Sequence, residues 1–202
     1  MSDKNKSGGR GRPRKFDEAA VLAKAGEIFL AQGFEATSYD KIGLATGLSK
    51  PSLYNSFGDK AALFARIIED YAALAHGLVM DAVAGKATLA EAAATMLQEA
   101  AKVYAPVSGH SVGCLLIGTS LPAAVVDEGV QNILSGFVTE MDSALAAVIA
   151  RDYAVELKQR GKSADQMAQL YSSLLFALAV RARMGLTRRE LLKVARDLAS
   201  TV

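Results

Sequence analysis

Apolar residues recur at spacings of three and four through most of the chain, and no stretch alternates apolar and polar long enough to predict a strand. The clearest stripe is Leu63, Phe64, Ile67, Ile68, Tyr71, Leu74, Ala75 and Leu78, which predicts a helix from Lys60 to about Ala84, ended by Gly85. Such a helix would span roughly 37 Å, enough to join a small head to a separate core. Before it, a helix opens at Asp17, carries Ala20, Ala23, Ala25, Ile28 and Phe29, and stops at Gly33. After it, Thr88 and Glu91 form a capping box for a helix to about Tyr104. A shorter helix is expected near 111–121, ended around Pro122. A long one follows over roughly 125–158 with Val130, Ile133, Leu134, Phe137, Met141, Leu145, Val148 and Ile149. Ser163 and Gln166 box the next, whose face holds Met167, Leu170, Tyr171, Leu174, Leu175 and Leu178. Gly185 closes it, and Thr187 with Glu190 opens the last. The pattern predicts an all-α protein of about nine helices.

Residues 37–63 depart from this long-helix pattern. Tyr39, Ile42 and Gly43 begin a short helix capped by Thr37 or Ser38; Gly47 breaks it, and Leu48 fills the gap. Ser49 caps a second short helix carrying Leu53, Tyr54 and Phe57, and Asp59 caps the helix at Lys60. Two short helices about a glycine turn are the pattern of a helix-turn-helix, whose second helix enters the DNA major groove. Glycine inside a helix costs about 1 kcal/mol relative to alanine, so Gly43 implies close approach of the recognition helix, and Gly47 implies a left-handed turn residue. Ile42, Leu48 and Leu53 are the expected core of the unit.

The run Tyr39-x2-Ile42-x3-Thr46-Gly47-Leu48-Ser49-x2-Ser52-Leu53-Tyr54-x2-Phe57-x2-Lys60-x2-Leu63 resembles the DNA-binding signature of the tetracycline-repressor-like (TetR/AcrR) family. The resemblance is sharp over about residues 16–65; beyond them only the order and length of the helices match. One departure is that Asn55 and Ser56 stand where an aromatic or histidine pair is usual, which bears on the operator sequence. The resemblance implies phosphate contacts from Thr37, Ser49, Tyr54 and Lys60, roles that their hydroxyls and charge independently permit. Lys50, Ser52 and Asn55 are the candidates for base edges, asparagine being suited to adenine.

Charge is distributed to match. Residues 1–15 hold six Lys or Arg against Asp3 alone, whereas residues 65–202 hold thirteen basic and fourteen acidic side chains. This predicts a disordered basic arm over 1–15, a helix-turn-helix domain over 16–62 and a ligand-binding and dimerisation domain over 63–202. Arg10-Gly11-Arg12-Pro13 in the arm is similar to an AT-hook core, so Arg12 and Arg14 could follow an A·T-rich minor groove; a solubilising basic tail explains them equally. Cys114, the single cysteine, excludes an intrachain disulfide and fits a reducing compartment. No secretory pattern opens the chain and the apolar run 112–126 is too short to span a bilayer, so a soluble, cytoplasmic protein is expected.

The resemblance further implies a homodimer on a palindromic operator and a small-molecule effector of unknown identity. Leu170, Leu174, Leu178, Leu191, Val194 and Leu198 are the expected dimer contacts, on the last two helices. Tyr71, Tyr104, His110, Cys114, Phe137, Met141 and Phe176 are the candidate pocket, although core packing explains most of them as well. Neither His76 nor His110 has ligand partners at metal spacing, and no nucleophile–base pair or phosphate loop is present, so no metal, cofactor or enzymatic role is expected. The function that follows is a ligand-responsive transcriptional regulator, most often a repressor; an architectural, inducer-independent DNA-binding protein is the alternative.

Overall fold

The computed structural model describes residues 16–105, 113–121, 123–125 and 127–202. Among these there are ten α-helices and no strand: α1 (Glu18–Gln32), α2 (Tyr39–Thr46), α3 (Lys50–Phe57), α4 (Lys60–Val83), α5 (Leu89–Tyr104), α6 (Leu115–Ser120), α7 (Glu128–Asp152), α8 (Ala154–Arg160), α9 (Ala164–Arg183) and α10 (Arg188–Ala199), with a 3-10 turn at Ala123–Val125. The excess of one over the expected nine comes from the long helix, which breaks at Tyr153. The Tyr153 backbone leaves the helical region (φ −124°, ψ 23°), while its hydroxyl donates to the Val83 carbonyl at 2.5 Å.

Caps fix most of the starts. Asp17, Ser38, Ser49, Asp59, Thr88 and Asp127 each accept a backbone N–H of the helix they open, which satisfies donors that have no partner inside the helix. Ser163–Gln166 and Thr187–Glu190 are reciprocal capping boxes. The expected box at α5 is only half made: Thr88 accepts from Glu91, but the Glu91 carboxylate takes the Ala87 N–H.

The helices surround one continuous core. α7 lies along α9, and α10 lies along α5, while α4 touches both α5 and α7. At the N-terminal end, Phe29 of α1, Phe34 of the following turn and Phe64 of α4 form a triangle with ring centroids 4.9 to 5.9 Å apart. This cluster anchors α1 to the first turns of α4 through aromatic burial. Two further bonds tie α1 and its following turn to the body. The Phe34 N–H donates to the Thr119 carbonyl at the end of α6 (3.2 Å), and the Arg183 guanidinium of α9 donates to the Leu30 carbonyl of α1. α7 is the one described helix long and apolar enough to cross a membrane (mean hydropathy 1.5), but its Val130, Phe137, Met141, Leu145 and Ile149 stripe is buried in this chain's own core.

Candidate nucleic-acid interface and effector cavity

The α2–α3 unit is held by packing, a turn and one tyrosine. Ile42 and Leu53 are fully buried between the helices, with Leu48 partly buried beside them. Gly47 adopts φ 73°, the left-handed conformation glycine tolerates best. A Cβ on Gly43 would lie 2.7 Å from the Leu48 carbonyl oxygen; the close approach is thus to the turn before the recognition helix rather than to that helix. The buried Tyr39 donates to the carbonyls of Gly58 and Asp59, both at 2.9 Å, and clamps the α3–α4 junction. Burial, reinforced by the Asp59 carboxylate, raises its pKa to about 12, so it remains a donor at neutral pH.

On α3, Lys50 and Asn55 are exposed and Ser52 half-buried; Asn55 lies opposite the buried Leu53 and Phe57, whereas Lys50 stands at the first turn on their side of the helix. Lys50 is held by Asp40 at 3.0 Å, and Ser52 shares a 2.9 Å hydroxyl contact with Ser49, the helix cap. Tyr54 is half exposed and packs edge-on against Tyr39 at 4.6 Å. Two expected phosphate contacts are placed elsewhere. Thr37 is only 2% exposed and donates to the Gly33 carbonyl, so Ser38 alone caps α2. Lys60 donates to the Phe34 carbonyl at 3.0 Å and sits 4.3 Å over the Phe34 ring, committed to the phenylalanine cluster instead of facing outward. Arg12 and Arg14 lie outside the described residues.

In the body, a cavity of about 290 Å³ opens between α4 and α5. Tyr71, Leu74, Leu78, Met96 and Tyr104 line it. Cys114 lies behind Tyr71, whose hydroxyl donates to the cysteine sulfur at 3.1 Å. Burial raises the Cys114 pKa, leaving the sulfur a poor nucleophile at neutral pH. Of the remaining candidates, Phe137 and Met141 are core residues under α4, Phe137 stacking on His76 at 5.6 Å. Phe176 lines a different surface, the outer α7–α9 groove, and His110 lies outside the described residues. Among the described residues no three His, Cys, Asp or Glu side chains group as a metal site.

The expected dimer residues also redistribute. Leu178 of α9 and Leu191 of α10 are wholly buried within this chain; α9 packs on α5 and α7, and α10 turns its apolar face onto α5 rather than outward, with Val194 and Leu198 half-buried. Leu170 remains 41% exposed and Leu174 half-buried. A further unburied apolar surface lies along α7 and α9, where Leu134, Val138, Phe176, Ala177 and Val180, with Leu121 after α6, line a shallow groove. Its sequence trace was available: Leu134 and Val138 lie off the Val130–Phe137–Met141 stripe, so α7 carries a second apolar strip.

A glycine-hinged helix pair exposing the polar side of its second helix, set on a larger helical body, is the architecture of a helix-turn-helix DNA-binding protein. Residues 21–67 match the bacterial regulatory proteins of the tetR family. The chain is 32% identical over 117 residues to the HTH-type transcriptional repressor BdcR of Escherichia coli (strain K12), a match spanning 58% of this chain and 59% of BdcR. It is 44% identical over 62 residues to ComR, another HTH-type transcriptional repressor of that organism, spanning 31% and 30% of the two chains. These matches thus span less than two thirds of either repressor. A cysteine variant of the TetR family transcriptional regulator CifR, solved with a 26-base-pair double-strand operator DNA, superposes with a TM-score of 0.81 at 26% identity, covering 94% of this chain and 98% of its own. Over residues 21–67 the chain is thus similar to the tetR family, and over most of its length it shares its fold with the TetR family regulator CifR.

Proposed function

We propose that this protein is a ligand-responsive transcriptional regulator, a repressor that leaves its operator when a small molecule enters the body, and not an enzyme. The observation that carries the reading is the helix-turn-helix itself: Asn55, flanked by Ser52, lies on the side of α3 away from the buried Leu53 and Phe57, and Lys50 is exposed at the first turn of that helix. The likeness to BdcR and to operator-bound CifR supports the same reading. In it, Ser49 and Tyr54 hold phosphates while Lys50 and Asn55 meet base edges.

One recognition helix reads too few base pairs for useful specificity, so the protein acts as a homodimer whose heads enter major grooves about 34 Å apart. The α7–α9 groove is the surface we assign to the second copy. The α4–α5 cavity takes the effector, and α6 is placed to carry its effect: Cys114 at its start touches Tyr71 of the cavity, and Thr119 near its end holds Phe34 beside α2. A soluble protein follows, with α7 buried on its core face and covered by the partner on the other.

The test is selection of bound fragments from the host genome by the purified full-length protein. Recovery of one inverted repeat with half-sites about one helical turn apart is expected. Recovery without sequence preference would replace this reading with that of an architectural DNA binder.

A further inference from the structure

A second hollow, of about 390 Å³, lies where α1 meets the body. Ala19, Ala23 and Gly26 of α1 form one wall; the two alanine side chains end at Cβ, and at Gly26 the wall closes on Ile67, which a Cβ there would approach to 3.3 Å. Ile67 and Tyr71 of α4 form the opposite wall, and Val103 and Leu115 close it. Tyr71 and Val103 also line the α4–α5 cavity, so the two spaces share these two side chains as a common wall.

The walls are apolar, and the charged groups lining the two spaces are all carboxylates: Glu27 and Asp70 in the junction hollow, Asp81 and Glu99 in the cavity. Glu27 is paired with Lys24 and Glu99 with Lys102. The neighbouring Arg66 is already held by Glu18, and Arg183 by the Leu30 carbonyl. Among the described residues Asp70 and Asp81 have no basic partner. They are eleven residues apart on α4, three turns, which puts them on one face roughly 16 Å apart. Between them run Tyr71, Leu74 and Leu78. Tyr104 adds a buried ring to the cavity. Apolar walls, aromatic faces and unpaired carboxylates attract a hydrophobic cation and disfavour an anion of equal length.

We propose that the junction hollow and the α4–α5 cavity form one binding site for an elongated apolar ammonium ion, which lies across Tyr71 and touches α1 of the DNA-binding head directly. Its use as an effector rests on the regulator reading above; its existence as a site does not. An occupant of the junction hollow bears on α1 without any movement relayed along α4, because Ala23 and Gly26 are part of its wall.

The test is titration calorimetry of the full-length protein with decyltrimethylammonium, against butyltrimethylammonium, decanoate and decanol. The decyl cation is expected to bind at least about tenfold more tightly than each control. Asp70→Asn and Asp81→Asn, surface changes that leave packing intact, should each weaken it by about threefold or more. Ala23→Phe, at an exposed position, should fill the hollow and weaken the decyl cation about tenfold with the melting temperature retained. Decanoate or decanol binding as tightly, no binding of the decyl cation at millimolar concentration, or full affinity in both Asp variants would overturn the cation site. Undiminished affinity in Ala23→Phe would confine the ligand to the α4–α5 cavity and overturn the junction site. A protein that binds the cation yet selects no genomic DNA would sink the regulator reading and leave the site standing.

Discussion

Gly43 has no room for even one methyl group, since a Cβ there would stand 2.7 Å from the Leu48 carbonyl oxygen. That oxygen belongs to the backbone of the turn, so relief requires moving the turn and with it the recognition helix. Gly43→Ala should therefore destabilise the protein by about 1–3 kcal/mol and weaken DNA binding, as read from a denaturant titration and a DNA titration. An unchanged denaturation midpoint would show that the turn yields freely. Asp152 presents a pH-dependent contact. The Arg151 guanidinium bonds its carboxylate at 2.6 and 2.8 Å, and with the Gly85 N–H holds its pKa down to about 2. A carboxyl group depressed in the folded state stabilises it above the ordinary carboxylate value, and the benefit is lost as pH falls toward 2. The melting temperature of wild type should exceed that of Asp152→Asn near about pH 5 and converge with it near pH 2. A gap that stays constant between those values would remove Asp152 from the acid response.

Among the helices, α10 and α9 differ in what covers them. α10 turns Leu191 and Ala195 wholly inward against α5, so Leu191→Ala should cost about 2–5 kcal/mol without changing the assembly state, read by thermal melts and light scattering. Much of this level was legible in the sequence, because caps and apolar stripes are local: Asp17, Ser49, Asp59, Ser163 and Thr187 open helices where their side chains suggested. The break at Tyr153 was not legible, since its cause is a bond to Val83, seventy positions away. Nor could the sequence distinguish an apolar face covered by its own chain from one awaiting another. Leu191 and Val180 look alike in the pattern, yet one is sealed and the other 43% exposed. Lys60 and Thr37 failed as outward groups for a related reason. Their chemistry suits phosphate, but Phe34 and Gly33 fold back within reach of both.

For the whole molecule, assembly and DNA affinity should fall together. Val180→Glu places a charge in the α7–α9 groove and should yield a folded monomer in light scattering, with operator affinity reduced at least about a hundredfold. A dimer that persists would relocate the interface. Deletion of residues 1–14 should flatten the dependence of binding on salt, the logarithmic slope falling by about 0.9 for each phosphate that the arm neutralises. An unchanged slope would leave the arm without a role on DNA.

The bonds joining α1 and its following turn to the body have a genetic consequence. The acceptors are main-chain carbonyls, Leu30 and Thr119, and one of the two donors is the Phe34 N–H. Side-chain replacement cannot delete the two carbonyls, and only proline at position 34 removes the N–H. The Arg183 guanidinium, by contrast, is erased by every substitution at its position. In a collection of alleles that still bind DNA but no longer answer an inducer, substitutions at Arg183 should therefore recur, while no single allele at Leu30 or Thr119 can remove the carbonyl itself.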